Sequence, residues 1–267
     1  MQPLSAFSAA ARRAVRGVLC DIDDTLSTDG HLTAAAYDAL ERLRAAGLSV
    51  VPITGRPAGW CDHIARMWPV DAVVGENGAF WFRYDHARRR MQRQFVDTPD
   101  VRLEHRTALA AIAAEIIAAV PGAAVAADQQ YRETDLAIDF CEDVPRLADT
   151  AVQHIVALMQ RRGLTAKVSS IHVNGWFGNY DKLTMTRRLY AECFGIDLDA
   201  ARDHYVFAGD SPNDAPMFGY FPHAVGVANV RQFVGQLAHD PAYVTVAATG
   251  AGFVELANAL LEERQNK

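Results

Sequence analysis

The 267-residue sequence has few cysteines, few lysines and no long apolar run, and each shortage excludes a class of protein. Its four cysteines include no C-x-x-C pair, and the nine histidines do not cluster near them, so we expect no zinc site. No stretch approaches the roughly 20 apolar residues that a membrane span needs. The first residues contain no continuous apolar segment of the secretory type, which predicts a cytoplasmic protein with reduced cysteines.

Positive charge is also in short supply. Lys and Arg number 26 against 32 Asp and Glu, and the net charge is −6. An acidic chain disfavours nucleic acid as a partner. The strongest basic cluster, formed by Arg88, Arg89 and Arg90, stands between two strand-like segments at 80–84 and 93–95. We interpret it as a solvated hairpin turn in preference to an anion-binding patch.

Apolar runs alternate with helical spacings in the first 80 residues. Runs at 16–20, 48–53 and 71–74 indicate strands, and helices are predicted over 32–46 and after Pro57. This βαβαβ order predicts a parallel sheet with crossover helices.

The pattern changes beyond the predicted hairpin. An α-β-α-β block is predicted there, with elements at 106–119, 131–140, 144–162 and 164–173. The α/β alternation then resumes with a helix over 181–194. We therefore predict an α/β fold, a doubly wound Rossmann-like core of residues 1–96 and 177–267 that is interrupted by an inserted α+β domain of residues 97–176.

Two acidic residues follow the first predicted strand in the sequence VLCDIDDTL at 18–26. Asp21 and Asp23 are two positions apart, so in an extended chain both carboxylates can point into the crevice at the carboxyl end of the sheet. In such a pair a divalent cation relieves the repulsion or one carboxylate keeps a proton, and a site can use both. Taken alone, the pattern also fits an acidic turn that caps a helix. An EF-hand is excluded because Leu26 and Leu32 occupy the positions that require Gly and Glu.

DIDDTL after an apolar strand resembles motif I of the haloacid dehalogenase-like (HAD) phosphatases. The resemblance implies that Asp21 is the nucleophile and Asp23 the general acid/base. It also implies a Mg²⁺ ion held by the Asp21 carboxylate and the backbone carbonyl of Asp23. Carboxylate attack on phosphorus forms an acyl phosphate, which divides one difficult hydrolysis into two easier steps. Asp24 stands where many members have Gly, a difference that removes no catalytic atom.

The family's second and third motifs follow in the expected order. VPITGRP supplies Thr54 and Gly55, whose hydroxyl and backbone N–H suit phosphate oxygens. Lys182, in NYDKLTM, begins a predicted helix just after the insertion and is one of three lysines in the chain. A compact ammonium at a helix N-terminus suits a phosphate contact. Leu183 follows it where members often have Gly.

The fourth motif is GDSPND, which follows a predicted strand at 205–208. The resemblance implies that Asp210 is a direct metal ligand and that Asp214 is an outer-shell or second acidic group. Asn213 in the same turn is assigned to phosphate binding. Oxygen ligands of this kind suit Mg²⁺.

The spacing of the motifs locates the insertion. Asp21 and Thr54 are 33 residues apart, whereas Thr54 and Lys182 are 128 residues apart. Together with GENGA at 75–79, this resembles subfamily IIB (Cof-type, sucrose-phosphatase-like), whose C2B cap closes over small phosphorylated metabolites, often sugar phosphates. The candidate substrate residues are Arg56, Asn77, Arg132 and His172, with Glu133, Asp135, Asn174 and Trp176 as further guesses.

The predicted function is a Mg²⁺-dependent phosphatase that hydrolyses a small phosphorylated metabolite, such as a sugar phosphate, through an aspartyl phosphate. A phosphomannomutase-like phosphotransferase and a non-catalytic binding protein are the alternatives, because the four motifs do not separate them. We expect no nucleic-acid or membrane partner. The sequence does not predict an oligomeric state.

Overall fold

A computed structural model describes residues 1–265 of the chain. Its centre is a sheet of six parallel strands. In spatial order the strands are Gln2–Pro3, Tyr243–Val244, Val225–Gly226, Tyr205–Gly209, Gly17–Cys20 and Ser49–Pro52. The predicted doubly wound α/β core is confirmed.

Helices cover both faces of this sheet, as buried parallel strands require. They are Ala9–Ala14, Ala34–Ala45, Ala58–Met67, Lys182–Leu189, Leu198–Ala201, Ala215–Tyr220 and Thr249–Gln265. Side chains of the strand Gly17–Cys20 alternate between two apolar clusters, with Val18 in one and Leu19 in the other. None of the described helices has both the length and the hydrophobicity needed to cross a membrane.

The first crossover helix illustrates how local sequence sets its ends. The Thr33 side chain accepts a hydrogen bond from the N–H of Ala36 at the N-terminus. Ala39, Leu40 and Leu43 are buried against the sheet. The helix ends before Gly47, which adopts a left-handed φ of 79°.

A three-stranded antiparallel sheet, which contains the predicted hairpin, lies beside the core sheet. Its three strands are Val73–Gly75, Phe80–Asp85 and Arg90–Phe95, and a single parallel bridge from Ile53 to Val74 joins it to the main sheet. The third predicted strand is thus antiparallel to its hairpin neighbour. Arg88, Arg89 and Arg90 are exposed at the turn, in agreement with the solvated-hairpin interpretation. A second, two-stranded hairpin pairs Ser27–Thr28 with His31–Leu32.

The insertion forms an antiparallel sheet with two helices, Pro99–Ala119 and Asp149–Arg161. Its strands, in order, are Thr165–Val168, His172–Trp176, Asp135–Asp139 and Ala124–Val125. We call this unit the cap. The single strand predicted at 164–173 is wrong, because the chain turns at Ser169, whose hydroxyl accepts the N–H of His172 at 3.0 Å. The domain limits at 97 and 176 stay a prediction.

Candidate active site

The motif I and motif IV carboxylates meet at the switch point of the core sheet. Gly17–Cys20 and Tyr205–Gly209 are adjacent parallel strands, so Asp21 and Asp210 follow their carboxyl ends side by side. Carboxylate oxygens of Asp21, Asp210 and Asp214 lie within 4.8 Å of one another, and all three residues are buried. Burial raises the pKa of Asp21 to about 7, although the charge of Lys182 opposes this shift.

Lys182 is the cation inside this acidic group. Its Nζ lies 3.1 Å from Asp21 Oδ1 and 2.8 Å from Asp214 Oδ1. Asp181 caps the helix that begins at Lys182 by accepting the N–H of Thr184. Burial opposes the charged ammonium, but Asp21 and Asp214 outweigh it and hold the pKa of Lys182 above its ordinary value.

Asp214 is fully engaged by the protein itself. Its Oδ1 faces Lys182, and its Oδ2 accepts the backbone N–H groups of Asp210 at 3.1 Å and Ser211 at 3.4 Å. A side chain at Gly209 would place Cβ 2.5 Å from the same Oδ2, so this position requires glycine. Asp214 therefore fixes the conformation of the motif IV loop through its contacts with the backbone.

Asp210 is held from two sides by residues that the sequence analysis missed. Its Oδ2 accepts the Asn229 amide at 3.0 Å, and its Oδ1 lies 3.4 Å from the Thr25 hydroxyl. Burial and neighbouring carboxylates raise the pKa of Asp210 well above its ordinary value. Close, buried oxygen donors of this kind fit a small, hard divalent cation such as Mg²⁺.

Thr54 and Asn77 build the motif II loop together. Thr54 is fully buried, and its hydroxyl accepts the backbone N–H of Arg56 at 3.0 Å. Asn77, at a left-handed φ of 54°, donates its N–H to the Thr54 carbonyl at 3.1 Å. A Cβ at Gly55 would lie 3.1 Å from the Asn77 amide nitrogen. Asn77 thus braces the loop from the side and does not line the cavity described next.

A narrow cavity of about 20 Å³ lies between the core and the cap. The predicted residues that line it are Asp21, Asp23, Gly55, Arg56, Arg132, His172, Asn174 and Asn213. Those not predicted are Ser169, Ser170, Ile171 and Ser211. The lining does not include Thr54, Lys182, Asp210 or Asp214. The contacts described above connect these four residues to residues that line the cavity. The other candidates, Glu133, Asp135 and Trp176, do not line this cavity, and Trp176 is buried and stacks on Tyr180.

Arg132 of the cap is buried among acidic partners. Its guanidinium pairs with Asp128 at 3.1 Å and with Asp135 at 3.0 Å, and Nη1 also donates to the Gly55 carbonyl at 3.0 Å. Asn174 donates to Asp135 at 2.9 Å. Arg132 therefore ties the cap to the motif II loop of the core.

Glu76, which the sequence analysis did not select, joins the core to the cap. One of its oxygens accepts the N–H groups of Ala58 and Glu133, each at 2.9 Å. The other accepts the N–H of Thr134 at 2.7 Å together with the Thr134 hydroxyl. Burial raises the pKa of Glu76 to about 7. Its place in GENGA at 75–79 is the one sequence signal that could have marked it.

Glu142 of the cap is a further residue that the sequence did not indicate. Its Oε1 accepts Arg56 Nη2 at 2.9 Å, and its Oε2 lies 2.9 Å from His172 Nε2. The close contact of His172, with help from Arg56, lowers the pKa of Glu142 to about 2 against the effect of burial. Glu142 follows a strand in a loop without a motif, so no local pattern distinguishes it.

Comparison with known proteins agrees with the motif analysis. Residues 18–105 match the family model of the haloacid dehalogenase-like hydrolases. This segment is HAD-like. The resemblance inferred from DIDDTL is confirmed. No curated protein sequence matches the chain.

Solved structures share the HAD-like fold over nearly the whole chain. A HAD/COF-like hydrolase from Plasmodium vivax is 18% identical with a TM-score of 0.68, and 98% of this chain and 99% of that one are covered. The sucrose-phosphatase of Synechocystis sp. PCC6803 is 17% identical with a TM-score of 0.62, at 92% and 98% coverage. A HAD subclass IIB sugar phosphatase is 14% identical with a TM-score of 0.60, at 94% and 99% coverage. At these identities the likeness establishes the fold.

Proposed function

We propose that the protein is a Mg²⁺-dependent phosphatase that acts on a small phosphorylated metabolite through an aspartyl phosphate. The observation that carries the proposal is the contact of Lys182 Nζ with Asp21 Oδ1 at 3.1 Å, beside the buried carboxylates of Asp210 and Asp214. A carboxylate held next to a fixed ammonium is arranged to attack an anionic phosphoryl group.

The proposed reaction has two steps. The Asp21 carboxylate bonds to phosphorus, the bond to the leaving oxygen breaks, and Asp23 gives that oxygen a proton. Water then attacks the aspartyl phosphate, Asp23 takes its proton, and the Asp21 carboxylate is released with inorganic phosphate. Thr54, Gly55, Lys182 and Asn213 would hold the phosphate.

The Mg²⁺ ligands in this proposal are the Asp21 and Asp210 carboxylates and the backbone carbonyl of Asp23. Asp214 would act from outside the ligand shell, because its oxygens are already bonded to Lys182 and to backbone N–H groups. When bound, Mg²⁺ neutralises negative charge on the phosphoryl oxygens.

The cap supports a small substrate. Arg132, His172 and Asn174 bring polar groups to the narrow cavity between the core and the cap. Several fold neighbours are sugar phosphatases, so a sugar phosphate is the substrate class we propose, with Arg56 and the cap residues selecting it. We assign the cap to residues 97–176. We also expect the protein to be cytoplasmic.

Release of inorganic phosphate from a panel of phosphate esters, with Mg²⁺ and with chelator, tests the proposal. We expect release with Mg²⁺ only, and its loss in Asp21→Asn. Asp38→Asn is the matched control, because Asp38 is exposed and, within residues 1–265, pairs only with Arg42. Wild-type release from Asp21→Asn would overturn the proposal, and isomer formation without phosphate release would favour the mutase alternative.

A further inference from the structure

Arg56 joins a carboxylate of the core to a carboxylate of the cap. Its Nε lies 3.0 and 3.1 Å from the two Asp23 oxygens. Its Nη2 lies 2.8 Å from Asp23 Oδ1 and 2.9 Å from Glu142 Oε1. The side chain of Arg56 is 6% exposed, and its guanidinium lies 4.4 Å from the ring centre of Trp60. One rigid fork therefore sets the orientation of both carboxylates.

The cap fixes Glu142 from its own side. The Asp139 carboxylate accepts the backbone N–H groups of Cys141, Glu142 and Asp143, each at 2.8 Å, which sets the turn that carries Glu142. The buried ring of His172 lies beside Glu142, with Nε2 2.9 Å from Oε2. The position of Glu142 within the cap is thus fixed, and its distance from Arg56 depends on where the cap lies relative to the core.

We infer that Arg56 and Glu142 are positioning residues that orient Asp23 for proton transfer when the cap is closed over the core. The inference rests on the proposed function, in which Asp23 protonates the leaving oxygen. Glu142 would act through Arg56 and would not touch the reacting atoms. Closure would then complete the proton-transfer group as well as enclose the substrate.

The chemistry of the leaving group separates this role from a merely structural one. An alkoxide leaves poorly and needs a proton from a well-placed acid, a contribution of roughly 10²–10⁴-fold. A p-nitrophenolate leaves readily without that proton. Loss of the Asp23 orientation should therefore slow the hydrolysis of alkyl phosphates far more than that of p-nitrophenyl phosphate. A weakened cap or fold should slow the hydrolysis of both alike.

The experiment compares Glu142→Gln with wild type on glycerol phosphate and on p-nitrophenyl phosphate, both with Mg²⁺. We expect kcat to fall about 30-fold on glycerol phosphate and less than about 3-fold on p-nitrophenyl phosphate, with KM little changed. Glu115→Gln is the matched control, because Glu115 is a cap residue in an exposed ion pair with Arg162. It should leave both rates unchanged.

Arg56→Lys supplies the second variant, since a lysine keeps the charge but lacks the planar guanidinium that donates to both Asp23 oxygens and to Glu142 at once. It should show the same dependence on leaving group, and adding Glu142→Gln to it should cost little more. Equal losses on both substrates, or additive losses in the double variant, would overturn the inference alone. A wild-type protein that hydrolyses neither these two esters nor any other ester of the panel would instead overturn the proposed function on which it rests.

Discussion

The ammonium of Lys182 lies 2.8 Å from Asp214 Oδ1, and both groups are almost completely removed from solvent. The same ammonium reaches Asp21 from the other side at 3.1 Å. This one cation compensates two buried carboxylates, so stability and chemistry depend on it together.

Replacement of Lys182 by methionine should therefore lower both stability and activity. Two carboxylates would lose their buried cation, and we expect the free energy of unfolding to fall by about 3 kcal/mol in the absence of divalent cation. Phosphate release should fall by at least about 100-fold. Urea denaturation and a phosphate assay measure these changes. Lys167→Met, at an exposed cap position, is the control, and similar losses in both variants would contradict the prediction.

Divalent cation should stabilise the fold through the carboxylates of Asp21 and Asp210. At about 100 times its Kd, a bound ion adds about 2.7 kcal/mol, which corresponds to a Tm increase of about 5 °C for a chain of this size. Thermal melts with Mg²⁺ and with chelator measure the shift. Asp210→Asn should abolish it, while Asp203→Asn, at an exposed residue, should retain it. A shift that survives in Asp210→Asn would place the ion elsewhere.

Acid should remove the contribution of Glu142 to stability. The folded-state pKa of Glu142 is about 2, below the ordinary 4.5, so its stabilising effect is complete above about pH 5 and is lost as the pH falls toward 2. After allowance for its partial exposure, this effect is about 1–2 kcal/mol.

The stability difference between wild type and Glu142→Gln should follow that titration. It should be largest above pH 5 and close to zero near pH 2, as measured by urea unfolding across the range. Glu115→Gln should change stability by less than about 0.5 kcal/mol, as is usual for an exposed pair. A difference that grows on acidification would have the wrong sign.

Gly78 presses against the backbone that leads into Lys182. It has a left-handed φ of 109°, and an added Cβ would lie 2.0 Å from the Asp181 carbonyl oxygen. Gly78→Ala should displace Lys182, so we expect more than about 3 kcal/mol of destabilisation and loss of phosphate release.

Gly163→Ala is the matched control for that variant. Its φ is also left-handed, at 80°, but no atom lies within 4 Å of the added Cβ. It should cost about 1 kcal/mol and leave activity intact. Equal effects of the two substitutions would mean that the backbone conformation, and not the contact with Asp181, decides the outcome.

The core and its acidic site could be predicted because short motifs at strand ends define them. Asp21 and Asp210 follow apolar strands, and parallel strands bring such positions to one edge of the sheet whatever separates them in sequence. Lys182 was selected with them because it begins a predicted helix just after the insertion, and the scarcity of lysine in the chain supported that choice. The cluster of Asp21, Asp210 and Asp214 then appears in the structure as a single buried group.

The cap could be predicted only in outline. Arg132 was selected as a substrate residue, yet its charge is balanced by Asp128 and Asp135, which no spacing revealed. The role of Glu142 follows only from the structure, in which the cap brings this residue against Arg56. The turn at Ser169 was missed because it contains no Gly or Pro. These features depend on contacts between distant segments, and a sequence window does not contain them.

The pairing of the strands Gly17–Cys20 and Tyr205–Gly209 also sets the order in which parts of the chain can fold during synthesis. The apolar interior of the cap uses a continuous stretch within residues 109–177, whereas the central pair of core strands must wait for residue 209. During synthesis the cap can therefore pack before the core sheet closes. Lys182 lies between Asp21 and Asp210 in the sequence and is therefore synthesised before Asp210. The two carboxylates, whose charges repel, thus meet only when this lysine is already present.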